Sequence, residues 1–445
     1  MAPKKYSKGM KNLVRTFFLL FGDIVMMVIA FFIMLEIAFP GKISKVDIES
    51  HSTPFTVVFL IWIFIFFLFN LYEAESVKPT IPHLKRIGVA TIVAIVASVV
   101  LFYIIPDFGI TPKTNLLIFS ATFILLFIIW RRIFYRVFSV NFKKNVGFIL
   151  KTSEDEAYGK ELIDYIKTYP QSGFFVFGAY SSLKEFLERK DGEQIDILII
   201  SKNILEETGD LELIYNKVGH VLNLAQAYED ILGKIPVDSI DETWFLHNIQ
   251  SINTTSYNII TYFINIAVSL IVLIVTFPFL LIVALLIKIH DGGSIFYTQL
   301  RVGKKNKTFK LYKFRSMIMD SEPNGAVWSD KSDNRITPIG KIIRKLHIDE
   351  IPQMINVFKG DLSLVGPRPE RPEFVTQFNN TIPHYKLRHI ICPGFTGWAQ
   401  IKYKYANTKE DSKEKFQYDL FYIKNRNIFM DFGIILRTIQ IIFTH

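Results

Sequence analysis

The residues best suited to chemistry fall in four clusters between positions 296 and 431. In Lys310-Leu311-Tyr312-Lys313-Phe314-Arg315-Ser316-Met317, cations and aromatics alternate. An extended segment of that pattern puts Lys313 and Arg315 on one face, where two adjacent cations suit a polyanion such as a diphosphate. The same pattern also fits a solvated edge strand facing anionic headgroups. The second cluster, Arg344-Lys345-Leu346-His347-Ile348-Asp349-Glu350-Ile351-Pro352-Gln353, sets two carboxylates beside a proline that favours a helix start. Asp349 is either a plain N-cap or, with Glu350, a nucleophile-and-partner pair acting on phosphorus with Mg²⁺ screening the phosphates.

The third cluster, Lys359-Gly360-Asp361-Leu362-Ser363-Leu364-Val365-Gly366-Pro367-Arg368-Pro369-Glu370, reads as a helix stop and an extended loop. Its two prolines clamp Arg368, for a phosphate oxygen pair or for a neighbouring acid. The fourth, Pro393-Gly394-Phe395-Thr396-Gly397-Trp398-Ala399-Gln400, reads as a tight turn into an apolar strand, without obvious chemistry.

Elements that could hold these clusters follow from the hydropathy pattern. The chain has 445 residues, half of them hydrophobic, with 41 Phe and a net charge of +10, and its mean hydropathy is +0.28. This is a membrane protein with soluble parts, in two or three domains. The positive charge suits anionic lipid or phosphorylated ligands, and nucleic acid is not expected in so apolar a chain. The single cysteine, Cys392, forms no internal disulfide and has no catalytic pattern around it.

Apolar stretches near 13–39, 55–72, 87–105 and 115–130 are each long enough for a membrane helix of about 20 residues. The first follows Lys4, Lys5, Lys8, Lys11 and Arg15 and reads as a signal anchor. Lys78, Lys85 and Arg86 follow the second stretch, and Arg131, Arg132, Arg136, Lys143 and Lys144 the fourth. The other two connections carry Lys42 and Lys45 beside Asp47 and Glu49, then Asp107 and Lys113. The positive-inside rule therefore puts the N-terminus and everything after residue 141 in the cytosol, with four crossings between.

From 141 to 255, short apolar runs (Val146 to Leu150, Phe174 to Phe177, Ile195 to Ile200) alternate with polar helical segments. A small parallel sheet, a Rossmann-like α/β domain, is expected. Lys151-Thr152-Ser153-Glu154 follows its first strand where a nucleotide site would need glycines, so a structural or regulatory module is the expected role. A fifth apolar stretch, Ile259 to Ile289, carries Pro278 at its middle. Lys288, Arg301, Lys304, Lys305, Lys307, Lys310, Lys313 and Arg315 follow it, which opposes a crossing. A re-entrant helix bent at Pro278 is expected instead, then an interfacial helix over Ile428 to Phe443.

Together the clusters resemble the bacterial sugar transferase family, the polyprenyl-phosphate glycosyl-1-phosphate transferases. The resemblance runs from about Tyr257 to the C-terminus. It is carried by Gln299-Leu300-Arg301-Val302-Gly303, the Lys-Phe-Arg-Ser-Met run, Asp349-Glu350 and Asn356-Val357-Phe358-Lys359-Gly360-Asp361. Gly366-Pro367-Arg368-Pro369, the Pro-Gly-Phe-Thr-Gly-Trp turn and Tyr418-Asp419-Leu420-Phe421-Tyr422 complete it. The N-terminal helices and α/β domain look like those of long-form members.

The resemblance implies domains at 1–140 (four-helix transmembrane bundle), 141–255 (Rossmann-like) and 256–445 (re-entrant helix plus monotopic α/β catalytic domain). It implies Asp349 as nucleophile and Mg²⁺ ligand, with Glu350 as its partner. Lys313, Arg315, Arg344, Arg368 and Asp431 would bind phosphate or substrate, and Pro278 would be the kink. The implied reaction moves a sugar-1-phosphate from a UDP-sugar to polyprenyl (undecaprenyl) phosphate through an aspartyl-phosphosugar, releasing UMP at the cytosolic face of the bacterial inner membrane. It would initiate exopolysaccharide, capsule or O-antigen synthesis, with a hexose as the favoured sugar. The family varies around Lys402 to Asn407, a region suited to sugar choice. Long-form members often open the α/β domain with a Gly-rich turn, and this chain lacks it. The competing expectations are a conventional glycosyltransferase releasing UDP and a scaffold binding anionic lipid. The oligomeric state stays open, a homo-oligomer included.

Overall fold

The computed structural model describes residues 8–41, 43–69, 71–72, 81–104, 112–140, 144–169, 173–188, 195–201, 204, 214, 217–240, 244–245, 248, 255–319, 335–403 and 408–444. Lys4, Lys5, Lys42, Lys78, Asp107, Lys143 and 404–407, invoked above for orientation and sugar choice, lie outside them. The chain forms two compact units, Met1–Ile231 and Leu232–His445.

The first unit opens with helices α1 (Lys8–Ala38), α2 (Lys45–Leu68), α3 (Ile81–Ile104) and α4 (Pro112–Val140). They share one apolar core in which Met34, Trp62, Ala94 and Phe123 are fully buried. Two polar links join the helices inside it. Trp62 Nε1 donates to Ser98 Oγ at 2.8 Å, and Arg131 pairs with Asp23 at 2.7 Å while donating to the Leu71 carbonyl. Buried charges in an apolar bundle need such pairing. Among the described residues, Phe17–Ala38, Lys45–Leu68 and Thr114–Val137 are long and apolar enough to cross a membrane, whereas Arg86–Phe102 of α3 is a shorter apolar helix.

Next come β1 (Lys144–Ile149), α5 (Ser153–Thr168), β2 (Phe174–Tyr180), α6 (Leu183–Leu187), β3 (Ile195–Ile200), β4 (Val218–Asn223) and α7 (Leu224–Leu232). The strands form a parallel sheet in the order β2-β1-β3-β4. The apolar runs of β1 and β3 lie at its centre and are buried on both faces, as parallel strands require. This is the small parallel sheet expected for the middle domain.

The second unit begins at Leu232, ahead of the boundary expected at residue 256. The segment after Leu232 is fastened to α13 (Lys409–Asn425): Lys234 pairs with Glu414 at 2.6 Å and Ile235 N donates to the Gln417 carbonyl. Helix α8 (Thr255–Asp291) is helical throughout its 37 residues, Pro278 included. It too is long and apolar enough to cross a membrane, and its middle, around Val275 and Phe277, is exposed. Its flanks engage the rest of the unit. Asn265 contacts Ser363 Oγ and accepts from Leu364 N, while Val283 and Ile287 pack on Phe314, Ile343 and Ile348.

The remaining elements are the antiparallel hairpin β5 (Phe296–Val302) and β6 (Thr308–Phe314), α9 (Pro338–Lys345), α10 (Met354–Lys359), β7 (Ser363–Val365), α11 (Pro372–Thr381), β8 (Gly394–Thr396), α12 (Trp398–Lys402), α13 and α14 (Ile428–Thr444). The Pro-Gly-Phe-Thr-Gly-Trp motif is thus itself the strand β8, paired in parallel with β7, and leads into a helix rather than a strand. Gly366, Gly394 and Gly397 let backbones meet here: a Cβ on Gly394 would lie 2.0 Å from Gly366 N.

Candidate active site

Asp349 and Glu350 lie at the start of a 3₁₀ turn, Ile348–Gln353, that runs on into α10. The turn is entered through His347, whose φ of 55° is unfavourable for a non-glycine residue. On one side α9 ends at Arg344 and Lys345. Its start is capped by Thr337 Oγ1, which accepts from Gly340 N, and glycine is required at 340 because a Cβ would meet Ser316 O at 1.9 Å. On the other side Asn356 of α10, fully buried, reads the backbone of β6. Its Oδ1 accepts from Tyr312 N at 3.0 Å, and its Nδ2 donates to the Lys310 carbonyl at 2.8 Å. That staple fixes the strand position carrying Lys313.

Three predicted site residues meet here. Glu350 Oε1 accepts from Lys313 Nζ and from Arg368 Nη2, both at 2.7 Å. Burial alone would raise the Glu350 pKa, yet Arg368 and Lys313 hold it well below the usual carboxylate range. Glu350 in turn pushes the Arg368 pKa up. Asp349 differs. It is buried, and among the described residues its carboxylate makes no hydrogen bond or ion pair. Burial and then the Glu350 charge push its pKa up, against the nearby charges of Lys313, Arg344 and His347. Adjacent carboxylates therefore sit in different surroundings: Glu350 is held between two cations, and Asp349 has no hydrogen-bond or ion-pair partner among the described residues. Arg344 belongs to this neighbourhood through its charge on Asp349.

Two predicted site residues have other partners among the described residues. β6 ends at Phe314, and the next residue, Arg315, is buried and paired with Asp291 at the end of α8. Gly293 makes room, since a Cβ there would lie 2.2 Å from Arg315 Nη1. Asp431, expected near the phosphates, is committed to two tyrosines, accepting from Tyr257 Oη at 2.6 Å and Tyr422 Oη at 2.7 Å. It ties the start of α8 to α13 and α14. Asp431→Asn replaces one acceptor oxygen by an amide donor and is expected to lower stability by about 1–2 kcal/mol, readable as a lower Tm in thermal denaturation.

As for the expected Mg²⁺, no three His, Cys, Asp or Glu side chains gather into a cation site among the described residues. Asp349 is the carboxylate that would be offered to such an ion, with substrate phosphates and water as its other ligands. Residues that sequence reasoning left without a role are Asn356, Arg301 and Arg388. Arg301 and Arg388 donate to carbonyls of the Pro-Arg-Pro loop.

Known proteins place this arrangement in context. A family model described as Bacterial sugar transferase matches residues 256–445, which contain every residue of the site. The chain is 41% identical over 224 residues to the UDP-N-acetylgalactosamine-undecaprenyl-phosphate N-acetylgalactosaminephosphotransferase of Aeromonas hydrophila, covering 50% of this chain and 52% of that protein. It thus spans about half the length of that relative. To the UDP-glucose:undecaprenyl-phosphate glucose-1-phosphate transferase of Klebsiella pneumoniae it is 37% identical over 177 residues, 39% of this chain and 38% of the relative. To the exopolysaccharide production protein PSS of Rhizobium leguminosarum bv. phaseoli it is 41% identical over 177 residues, 38% of this chain but 88% of the relative.

Proposed function

The chain belongs to the bacterial sugar transferase family, and from that premise we propose that it transfers a sugar-1-phosphate from a UDP-sugar to undecaprenyl phosphate. The observation that carries the reading is the contrast at Asp349-Glu350: a buried carboxylate with no partner among the described residues beside one locked between two cations.

In the proposed reaction an Asp349 oxygen attacks the sugar-proximal phosphorus of the donor. The phosphoanhydride bond breaks, UMP leaves with the electron pair, and an aspartyl phosphosugar remains. A phosphate oxygen of the lipid then attacks the same phosphorus, the acyl–phosphate bond breaks, and Asp349 is regenerated. One phosphoanhydride is lost and one is made, so no further energy source enters. The raised pKa of Asp349 makes its ionised form the more basic nucleophile. Lys313 and Arg368, already aligned by Glu350, and Arg344 stabilise the charge on the transferring group, which is most of what phosphoryl transfer asks of a protein. Mg²⁺ bound at Asp349 would screen the phosphates.

The reading includes a location. The catalytic unit lies on the cytosolic face of a bacterial inner membrane, α1–α4 cross four times, and α8 enters and leaves the same leaflet with its bend at Pro278. In support, both ends of α8 engage one unit, Tyr257 through Asp431 and Asp291 through Arg315. A straight crossing by a helix about 55 Å long would carry those ends to opposite sides of the membrane. The initiating step of exopolysaccharide, capsule or O-antigen assembly is the pathway position such a product suits.

The test is the released nucleotide. Membranes carrying the protein, with undecaprenyl phosphate, Mg²⁺ and a panel including UDP-N-acetylgalactosamine and UDP-glucose, are expected to release UMP with one donor. UDP would instead mean transfer of the sugar alone, and binding of lipid without nucleotide release from any donor would mean a scaffold.

A further inference from the structure

We infer that Arg301 and Arg388 are positioning residues that preset Arg368 by holding the backbone of its loop; this rests on the transfer reaction proposed above. The loop Pro367-Arg368-Pro369-Glu370 has two prolines, which donate no hydrogen bond, so its shape depends on what its carbonyls accept. All four are taken. Pro367 O accepts from Gly394 N and Glu370 O from Val302 N, each at 2.9 Å. The two between are held by side chains: Arg388 Nη2 donates to Arg368 O at 3.0 Å, and Arg301 Nη1 to Pro369 O at 2.9 Å.

Both arginines are themselves fixed. Arg388, 5% exposed, pairs with the buried Asp419 at 2.7 Å and donates to Tyr385 Oη at 2.7 Å. Arg301 donates to Gln299 Oε1. The Glu370 carboxylate lies 3.7 Å from Arg301 and 3.9 Å from Arg388, closing the set. Burying two guanidinium groups at one loop is costly even with the Asp419 and Glu370 carboxylates beside them. What it yields is a fixed Cα for Arg368, whose own guanidinium leaves the loop for Glu350. Among the described residues neither arginine hydrogen-bonds or pairs with Asp349, Glu350 or Lys313; the Glu350 charge does reach Arg301, so Arg388 is the cleaner case, its effect on the reaction passing through Arg368.

A double-mutant cycle tests this on the purified full-length chain, reading UMP release with undecaprenyl phosphate and the UDP-sugar that the panel identifies. Arg388→Lys keeps the charge and loses the planar fork. In the wild-type background it is expected to lower kcat/KM about 100-fold, the scale of a displacement of about 1 Å in a positioned group. In an Arg368→Ala background the same change is expected to cost less than about threefold, because the residue it positions is gone. Equal losses in both backgrounds, or none in the wild type, would overturn the inference. Arg301→Lys, put through the same cycle, decides the matter where Arg388→Lys does not fold. A wild-type chain that releases no UMP defeats the transfer reaction itself, which is a separate result from an additive cycle.

Discussion

Asp349→Asn is expected to abolish UMP release, by at least about 10⁴-fold, while the protein keeps its fold and its stability. The magnitude follows from loss of a nucleophile rather than of a contact that tunes one. The unchanged stability follows from its surroundings: the Asp349 carboxylate has no hydrogen bond or ion pair to lose among the described residues, and the substitution removes an unfavourable charge beside Glu350. Thermal denaturation alongside the nucleotide assay checks both halves. A variant with more than about 1% of wild-type turnover would remove Asp349 from the covalent step.

Glu350→Gln is expected to act differently. The amide cannot balance Lys313 and Arg368, which now meet at one neutral oxygen, so the cations spread and turnover falls by about 10²–10³-fold. The pH dependence also moves. Asp349 has a raised pKa, so in the wild type the acid limb of kcat/KM lies above the ordinary aspartate range. One cause of that rise is the Glu350 charge. Removing it lowers the Asp349 pKa, so the acid limb of the residual activity shifts to lower pH. A pH–rate profile of both proteins measures the shift; an acid limb that stays put would mean that it reports another group.

Much of this site was legible in the sequence because its chemistry is local. Asp349 and Glu350 are neighbours in the chain, Gly360 ends its helix at φ 82° as a glycine after an apolar run should, and Arg368 is marked by the prolines around it. The Arg368–Glu350 pair is the reading in which the arginine meets an acid, and that acid is the partner proposed for Asp349. What the sequence did not show depends on distant partners. Period-two spacing put Arg315 with Lys313, but Asp291, 24 positions back, pairs with its guanidinium. Asp431 is captured by tyrosines 174 and 9 positions away. Strands β7 and β8 have three residues each, too few to show a period. Arg301 and Arg388 were illegible as positioning groups because a backbone carbonyl has no letter in the sequence.

The exposed apolar middle of α8, with both its flanks fastened to the catalytic unit, changes what concentration means for the proposed acceptor. An enzyme held at the bilayer surface meets a lipid by lateral diffusion in two dimensions, so its saturation is set by the lipid's mole fraction in the leaflet. Adding inert phospholipid dilutes such a substrate without changing its amount per volume. The soluble donor is unaffected by that dilution, so the two half-reactions of the proposed transfer would answer to different variables, one to the donor's concentration in solution and one to the composition of the membrane.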